Sequence, residues 1–287
     1  MIERVALGTV QFGLPYGIAN RSGQVSEEDA AVILDRAWTR GVDTLDTAIS
    51  YGVSEERLGR IGVKQWKVVT KLPSAPESRA DMMGWVEDSV TGSLKRLGIP
   101  KLRGLLLHCP QLLHGDTGDA LFQELVSLKD QGLVEKIGIS IYHPEELDNL
   151  CADYRFDLVQ APFNIVDRRL ATSGWLNRLH EGGTEVHARS VFLQGLLLMK
   201  SGSRPVAFAR WEPLWQNWND WLIDQGLTPL QACLGFALSE RAIDRVVVGV
   251  DNVNQLDGIL AAAGTLVASA PTRLMSEDRD LIDPSRW

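Results

Sequence analysis

Eight short apolar runs recur along this chain of 287 residues, and each is separated from the next by a stretch long enough for a helix. In chain order, the runs are RVALGTV, VDTLDT, WKVVTK, RGLLLH, EKIGIS, DLVQA, TEVHARS and DRVVVGV. Continuously apolar strands are typical of a parallel sheet that helices cover on both faces, and eight strand-helix units close a (β/α)₈ barrel. The sequence therefore predicts an α/β fold of the (β/α)₈, or TIM-barrel, type, with an open doubly wound sheet as the alternative.

The intervals between these runs carry the signals of helices. Ser26 can cap a helix that has Asp29 at the reciprocal capping position and apolar residues on one face of 30–37. A second helix is predicted over residues 119–132, where leucines line one side and Gly132 ends the run. No linker rich in Pro, Gly or Ser interrupts the pattern. We therefore expect one barrel domain over residues 1–287, with residues 265–287 as a C-terminal tail that packs on or near the barrel.

Composition narrows the classes of function. The net charge of -8 and the lack of a dense Lys/Arg run argue against a nucleic-acid partner. The three cysteines are far apart and the histidines lack metal-ligand spacing, so neither a disulfide framework nor a metal site is expected. No segment reaches the roughly 18 apolar residues that span a bilayer. We expect a cytoplasmic protein without a membrane partner.

Polar side chains follow three consecutive strands of the predicted barrel. The second strand ends in Asp46 and leads to Tyr51, the third ends in Lys71, and the fourth ends in His108. The carboxyl ends of barrel strands meet at one rim, where the loops that follow them build active sites. Each of these residues alone is more often a solvated, capping or core residue. Their coincidence at equivalent positions favours a site that combines a carboxylate, a phenol, an ammonium and an imidazole.

These four groups suit acid catalysis by Tyr51. A free phenol with a pKa of about 10 is a poor acid at neutral pH, but a neighbouring cation favours the phenolate. We expect Asp46 to orient Lys71 and Lys71 to lower the pKa of Tyr51, so that the phenol can protonate a developing alkoxide. Hydride addition to a small carbonyl substrate would produce that alkoxide. Since no side chain supplies hydride, a nicotinamide cofactor is expected.

With these residues, the sequence resembles the aldo-keto reductase superfamily over nearly the whole chain. The segment DTAISYGVSEERLG is similar to the family's Asp-Thr-Ala, Tyr-Gly, Ser-Glu and Leu-Gly segment, and TK and LLLHCP fall where its Lys and His are expected. The resemblance implies that Asp46, Tyr51, Lys71 and His108 form the catalytic tetrad. It also implies a (β/α)₈ barrel that binds NADPH in an extended conformation without a Rossmann motif.

The same resemblance assigns positions that bind the nicotinamide half of the cofactor. Thr9 would neighbour the nicotinamide ribose, and Ser140 and Gln160 would hold the carboxamide. The seventh-strand loop, RSVFLQGLLL, would wrap the pyrophosphate through Ser190, Leu193, Gln194 and Gly195. Arg189 stands where many members stack an aromatic ring on the nicotinamide. A guanidinium plane can stack there instead, and an ion-paired arginine at the strand end is the alternative.

The eighth-strand loop bears on the choice of nicotinamide. Members that prefer NADPH usually present Lys or Arg there to the 2′-phosphate, whereas the cofactor-binding positions Gly249, Asn252 and Gln255 carry no positive charge. Asp251 would repel a phosphate or accept a ribose hydroxyl, as an acidic residue does in other nicotinamide folds that choose NAD. We expect NADPH, with NADH possible and weak discrimination between them. The alternative is that a basic residue from elsewhere reaches the phosphate: Arg245, Arg273 or Lys200.

Two classes of function stay open on this fold. The leading hypothesis is an NAD(P)H-dependent carbonyl reductase of aldehydes or ketones, with sugar-derived carbonyls as candidates. The competing hypothesis is a cofactor-binding regulatory or assembly protein with the same tetrad and negligible turnover, and a metal-dependent hydrolase on the same barrel is a weaker third. The tryptophans from Trp211 to Trp221 are interpreted as one side of a helix that packs on the barrel, rather than as a platform for a sugar.

Overall fold

A computed structural model describes residues 1–75, 82–115, 117–267 and 269–287. Eight parallel strands form a closed barrel in which each strand pairs with its neighbours in the sequence and the last pairs with the first. The strands are β1 (Val5–Gly8), β2 (Thr44–Asp46), β3 (Lys67–Leu72), β4 (Gly104–Leu107), β5 (Ile137–Ser140), β6 (Leu158–Pro162), β7 (Glu185–Arg189) and β8 (Arg245–Gly249). The predicted (β/α)₈ barrel is confirmed, and the open sheet is excluded because β8 hydrogen-bonds to β1.

Helices follow the strands around the outside of the barrel. The α-helices are α1 (Val10–Gly13), α2 (Glu27–Thr39), α3 (Ser54–Ile61), α4 (Met82–Leu97), α5 (Gly118–Asp130), α6 (Glu146–Asp153), α7 (Arg169–Thr172), α8 (Trp175–Glu181), α9 (Glu212–Gln225), α10 (Pro229–Ser239), α11 (Val253–Ala262) and α12 (Arg279–Ile282). Short 3₁₀ helices cover Ile2–Arg4, Pro110–Leu113, Leu193–Leu198, Val206–Trp211, Thr272–Leu274 and Pro284–Arg286. Among the described helices, none combines the length and the apolar composition that a bilayer crossing requires.

Two helices show how local sequence sets their ends. Helix α2 begins where the Ser26 side chain accepts a hydrogen bond from the Asp29 backbone N–H at 3.0 Å, as predicted. Its buried face is Ala30, Ile33, Leu34 and Ala37. Helix α5 begins one residue earlier than predicted and is followed by Gly132, whose φ of 76° favours glycine. Each helix therefore buries the apolar stripe that its sequence period placed on one side.

The barrel interior is layered because successive side chains along a strand point to opposite faces. Val69, Leu106 and Leu158 form a fully buried apolar cluster in the interior. Lys71 lies two residues beyond Val69, and His108 lies two residues beyond Leu106, so both share the inward side of their strands. The apolar layer therefore supports the polar residues at the carboxyl ends of the strands.

The tryptophan-rich helix packs as interpreted from the sequence. Trp215, Trp218 and Trp221 are all buried on α9. Trp211, just before the helix, donates its indole N–H to Asp278 at 3.0 Å. The tryptophans of α9 therefore belong to the core, and Trp211 contacts the C-terminal segment.

Candidate active site

A cavity of about 500 Å³ lies at the carboxyl ends of the strands, where barrel enzymes carry their chemistry. Most of the site residues expected from the sequence are in its wall. These are Thr9, Asp46, Tyr51, His108, Ser140, Gln160, Arg189, Ser190, Gln194, Gly195, Gly249 and Gln255. The exceptions are Lys71, Leu193 and Asn252, which lie outside the wall. The structure therefore brings together residues from nearly the whole length of the chain, from Thr9 to Gln255.

Lys71 and Asp46 form a buried ion pair behind the wall. The Lys71 ammonium, on a side chain that is 1% exposed, donates to Asp46 Oδ2 at 2.7 Å and to the Thr47 carbonyl at 2.9 Å. The other carboxylate oxygen, Asp46 Oδ1, accepts from the Gln160 amide at 2.6 Å. Burial lowers the pKa of Lys71, and the Asp46 carboxylate opposes that shift. Both oxygens of Asp46 are therefore held, and the lysine is fixed in position.

The Tyr51 ring lies against this pair and against His108. Lys71 Nζ is 5.3 Å from the centroid of the Tyr51 ring, and the Tyr51 and His108 rings meet edge to face with centroids 6.0 Å apart. Burial raises the pKa of Tyr51 above its ordinary value, Asp46 raises it further, and Arg189 opposes the shift. This direction is opposite to the one expected from the sequence, because the burial of the phenol and the nearby Asp46 carboxylate together outweigh the opposing charge of Arg189. At neutral pH the phenol therefore holds its proton.

His108 is a neutral imidazole at neutral pH. Burial lowers its pKa to about 4, and the positive charges of Lys71 and Arg189 lower it as well. Its Nδ1 lies 3.4 Å from the Ser50 hydroxyl, and either tautomer is compatible with that contact. A neutral imidazole can offer one donor and one acceptor to a bound molecule.

Arg189 ends β7 and lies in the cavity wall without an acidic partner. Its guanidinium carbon is 4.3 Å from the centroid of the Tyr142 ring. It donates to the Ile141 carbonyl at 2.9 Å and to the Ser190 hydroxyl at 3.1 Å. Among the described residues, this side chain forms no ion pair, so the ion-paired alternative does not hold.

The loop after β7 has an unusual backbone. Ser190, Leu193 and Gln194 have φ values of 59°, 48° and 52°, and they are the only described non-glycine residues with positive φ. Gly195 follows with a φ of 90°. Such conformations are uncommon outside glycine and cluster at ligand sites, where the surrounding structure enforces them. The Leu193 side chain is fully buried, so only the backbone of this residue is available to a ligand.

Asp251 places a negative charge in the cavity wall. Asp251 accepts hydrogen bonds from the side-chain amides of Asn20 and Gln255, each at 3.2 Å. Asn252 caps α11 by accepting from the Gln255 backbone N–H at 3.0 Å, which explains why its side chain is outside the wall. An acidic group is thus held in place here by two neutral amides.

Basic residues are scarce in the cavity wall. Arg189 is the only lysine or arginine among the wall residues that the structure describes. Arg245 begins β8 at the opposite end of the barrel, where its guanidinium lies 3.7 Å from Asp43. Neither Arg273 nor Lys200 is in the wall. The alternative in which one of these three residues reaches a cofactor phosphate within the cavity is therefore not seen.

The wall residues fit a nicotinamide cofactor. Gln11 Oε1 is buried and has no hydrogen-bond partner among the described residues, although its side chain lies in the wall. A Cβ added at Gly249 would run into this Gln11 side chain, so the glycine keeps the wall open. The Gln160 oxygen accepts from the Ser140 hydroxyl at 3.3 Å and retains a free lone pair. The amides of Gln11 and Gln160 and the hydroxyl of Ser140 could form hydrogen bonds with the carboxamide and the ribose hydroxyls of such a cofactor.

Several wall residues were missed by sequence reasoning. Tyr16 and Asn20 lie in the segment between α1 and α2, which carries no periodic pattern that could have placed them. Tyr142 follows Ser140 by two residues. Because alternate residues share a side of a strand, this spacing could have indicated that both side chains face the same site.

The described residues contain no group of three or more His, Cys, Asp or Glu side chains that could hold a metal ion. The three cysteines are free thiols.

Comparison with known proteins identifies the class. The model of the aldo/keto reductase family matches residues 4–271, and this chain belongs to that family, whose members are oxidoreductases that use nicotinamide cofactors. A D-threo-aldose 1-dehydrogenase of Pseudomonas sp. is 26% identical over 235 residues, which is 69% of this chain and 71% of that protein. A 2,5-diketo-D-gluconic acid reductase B of Corynebacterium sp. is 30% identical over 129 residues, 43% of this chain and 44% of that protein.

A solved structure supports the same fold. An aldo-keto reductase of Bacillus halodurans, solved in its holo form, superposes with a TM-score of 0.71 at 18% identity. The match covers 94% of each chain. At this identity the likeness concerns the fold alone.

Proposed function

We propose that this protein is an NAD(P)H-dependent carbonyl reductase that converts an aldehyde or a ketone to an alcohol, with Tyr51 as the general acid. The observation that carries this proposal is the phenol of Tyr51 in the cavity wall, beside the neutral imidazole of His108 and in front of the Lys71–Asp46 pair. A phenol that is fully protonated at neutral pH can donate its proton to a carbonyl oxygen as negative charge develops there.

In such a reduction, the residues around the cavity would have different roles. A bound NAD(P)H would supply the hydride. Tyr51 would transfer its proton to the carbonyl oxygen, and the phenolate left behind would be stabilised by the cations of Lys71 and Arg189 until solvent reprotonates it. His108 would orient the carbonyl through one ring nitrogen. Because Asp46 is held by both oxygens, Lys71 would keep its position throughout.

The cofactor would lie along the cavity. Ser140 and Gln160 would hold the carboxamide, Thr9 would lie near the nicotinamide ribose, and the loop of residues 190–195 would contact the pyrophosphate. Gly249 and Gln255 would line the adenosine end. Asn252 would act there indirectly, by fixing the start of α11.

The substrate class follows from the relatives only as a proposal. One relative is named for an aldose and another for a diketo sugar acid, so polyhydroxylated carbonyl compounds are the first to test. We further propose that the protein acts in the cytoplasm on a small molecule, as one barrel domain.

A cofactor and aldehyde panel tests the function. NADPH and NADH are first titrated against the protein, with quenching of tryptophan fluorescence as the measure of binding. Aldehydes and ketones are then added, and oxidation of the reduced nicotinamide is followed by its absorbance. We expect binding followed by turnover with some of the carbonyl compounds. Tight binding with negligible turnover across the panel would contradict the reductase and favour a regulatory or assembly role.

A further inference from the structure

Arg189 presents an uncompensated cation inside the cavity. Its side chain is half-buried, and the described residues offer it a backbone carbonyl, a hydroxyl and an aromatic face, but no carboxylate. A partly desolvated charge without a counter-charge is costly unless a partner is supplied. A bound anion would be such a partner.

The position of Arg189 places this cation at the reacting end of the cavity. Arg189 lines the same cavity as Tyr51 and His108, the residues that would surround the carbonyl, and its charge acts on both of them. Lys71, by contrast, already has a carboxylate partner in Asp46, at 2.7 Å. The carboxylate of Asp251 also lies in the cavity wall, but it pairs with the side-chain amides of Asn20 and Gln255 rather than with Arg189. Arg189 is thus a cation of the described wall that still lacks a counter-charge, and it can attract an anion into the cavity that Tyr51 lines.

We infer that Arg189 binds a carboxylate on the substrate itself, so that the enzyme prefers carbonyl compounds that also carry a carboxylate. This inference rests on the proposed reductase function and adds the substrate class. It differs from the stacking role that the family resemblance gave to this position, in which Arg189 would serve the cofactor.

The geometry of the guanidinium suits this role. A guanidinium has five N–H donors in a planar fork, and two of its nitrogens already donate to Ile141 and Ser190. The Tyr142 ring, 4.3 Å from the guanidinium carbon, holds the plane in a fixed orientation. Donors that stay free can meet a carboxylate with charge-assisted hydrogen bonds, which are about twice as strong as neutral ones.

A matched pair of substrates isolates the charge. The aldehydes 4-formylbenzoate and 4-formylbenzamide have nearly the same shape, but only the first is anionic. For the wild-type protein with NADPH, we expect kcat/KM for 4-formylbenzoate to exceed that for 4-formylbenzamide by about tenfold or more. In Arg189→Met both substrates should lose activity, because the Tyr51 phenolate loses a nearby cation, but kcat/KM for the benzoate should fall at least about tenfold more than kcat/KM for the benzamide, mainly through a higher KM, so that the preference disappears. Arg189→Lys should retain part of the preference.

A second arginine provides the control for stacking and fold. Arg204 also lies over an aromatic ring, with its guanidinium carbon 4.3 Å from the centroid of Trp215, but it is outside the cavity wall. Arg204→Met should leave the substrate preference and the NADPH affinity unchanged. Equal losses on both aldehydes in Arg189→Met, or a large rise in the NADPH dissociation constant, would show that Arg189 serves the cofactor and would overturn the inference.

A binding measurement separates this inference from the proposed function. Calorimetric titration of the protein with saturating NADP⁺ can compare 4-(hydroxymethyl)benzoate with the corresponding amide, without any turnover. Selective binding of the benzoate that Arg189→Met abolishes would support the anion site even if no aldehyde were reduced. Equal binding of the two alcohols would contradict it even in an active reductase.

Discussion

At the scale of single residues, burial and pairing set the state of each titratable group around Tyr51. The same carboxylate that fixes Lys71 also raises the pKa of Tyr51. The phenol is therefore protonated at neutral pH, and the charge of Arg189 opposes the rise of its pKa. His108 contributes no positive charge near pH 7 because its pKa is lowered to about 4.

Tyr51→Phe tests the proton donor. We expect carbonyl reduction to fall by at least 100-fold, the usual contribution of a general acid, while the NADPH dissociation constant stays within a few-fold. Steady-state kinetics and fluorescence titration measure the two effects. Tyr154→Phe is the control, because Tyr154 donates to Asp119 outside the cavity. More than about a tenth of wild-type turnover in Tyr51→Phe would mean that another group donates the proton.

The lowered pKa of His108 predicts a pH dependence of stability. Between pH 6.5, the ordinary pKa of histidine, and about 4, the unfolded chain binds a proton that folded His108 does not. The free energy of unfolding should therefore decrease as pH falls through this window, by up to about 3 kcal/mol from this group. Urea unfolding of His108→Asn should show a shallower decrease than the wild-type protein. The exposed His180 is the control, and a His108→Asn curve parallel to wild type would contradict the prediction.

Asp251 predicts weak discrimination between the two nicotinamides. Its carboxylate is held by Asn20 and Gln255, and no lysine or arginine of the described wall forms an ion pair with it. We expect kcat/KM for NADPH to exceed that for NADH by less than about 100-fold, or roughly 3 kcal/mol. Asp251→Arg should shift the ratio toward NADPH. A wild-type preference above a thousandfold would point to a basic group outside the wall, and Asp251→Arg would then change little.

At the scale of elements, the loops that follow the strands build the cavity on a rigid barrel. The loop after β7 is the most constrained, with three non-glycine residues in positive φ. It packs against the segment between α1 and α2, since a Cβ added at Gly195 would lie 2.5 Å from the Ala19 Cβ. The close approach of these two segments forms part of the wall, and it requires glycine at residue 195.

Gly195→Ala should weaken cofactor binding. The added methyl group would push the two segments apart. In addition, the φ of 90° at residue 195 disfavours any residue other than glycine. We expect the NADPH dissociation constant to rise by about tenfold, equivalent to 1.4 kcal/mol, as measured by fluorescence titration. Gly202→Ala is matched in φ, at 78°, but has nothing within 4 Å of an added Cβ. An equal loss of NADPH affinity in both variants would mean that backbone strain, rather than the close approach to Ala19, weakens binding. An unchanged affinity in Gly195→Ala would contradict the prediction.

At the scale of the whole molecule, a network of charged residues lies at the amino end of the barrel strands, and the cavity lies at their carboxyl ends. At the amino end of β7, Glu185 accepts from His187 at 2.8 Å and from Arg103 at 2.8 Å, and it also pairs with Lys136. Burial alone would raise the pKa of Glu185, but hydrogen bonds from His187 and Lys136 bring it below its ordinary value. The apolar layer of Val69, Leu106 and Leu158 belongs to the interior of the same barrel. Stability and chemistry thus depend on different ends of the barrel.

Glu185→Gln should therefore lower stability without changing the chemistry. Removing the carboxylate leaves Lys136 without this partner and Arg103 with Glu135 alone, and losing these charged hydrogen bonds at a half-buried site should cost about 2 kcal/mol. Denaturant unfolding should report this loss, while kcat/KM at 25 °C stays within about twofold. Glu181→Gln, at an exposed position on α8, is the control. A large fall in kcat/KM would mean that the two ends of the barrel are coupled.

Much of this molecule was predictable from the sequence, because it depends on local periodicity. Eight apolar runs with helical intervals predicted the barrel, and alternation along each strand brought Asp46, Lys71 and His108 to one rim. Ser26 at the start of α2 was predicted for the same reason, since a helix cap involves residues three positions apart. These features depend on neighbours in the chain, so the chain alone determines them.

What only the tertiary structure decided concerns groups that are distant in the chain. The direction of the Tyr51 pKa shift depends on its burial and on the charge of Asp46, and neither can be inferred from spacing. The same is true of Arg189, whose stacking on Tyr142 and lack of a carboxylate partner result from the meeting of β7 with the end of β5. Electrostatic energies depend on distance and dielectric environment, and both are set only when the barrel closes.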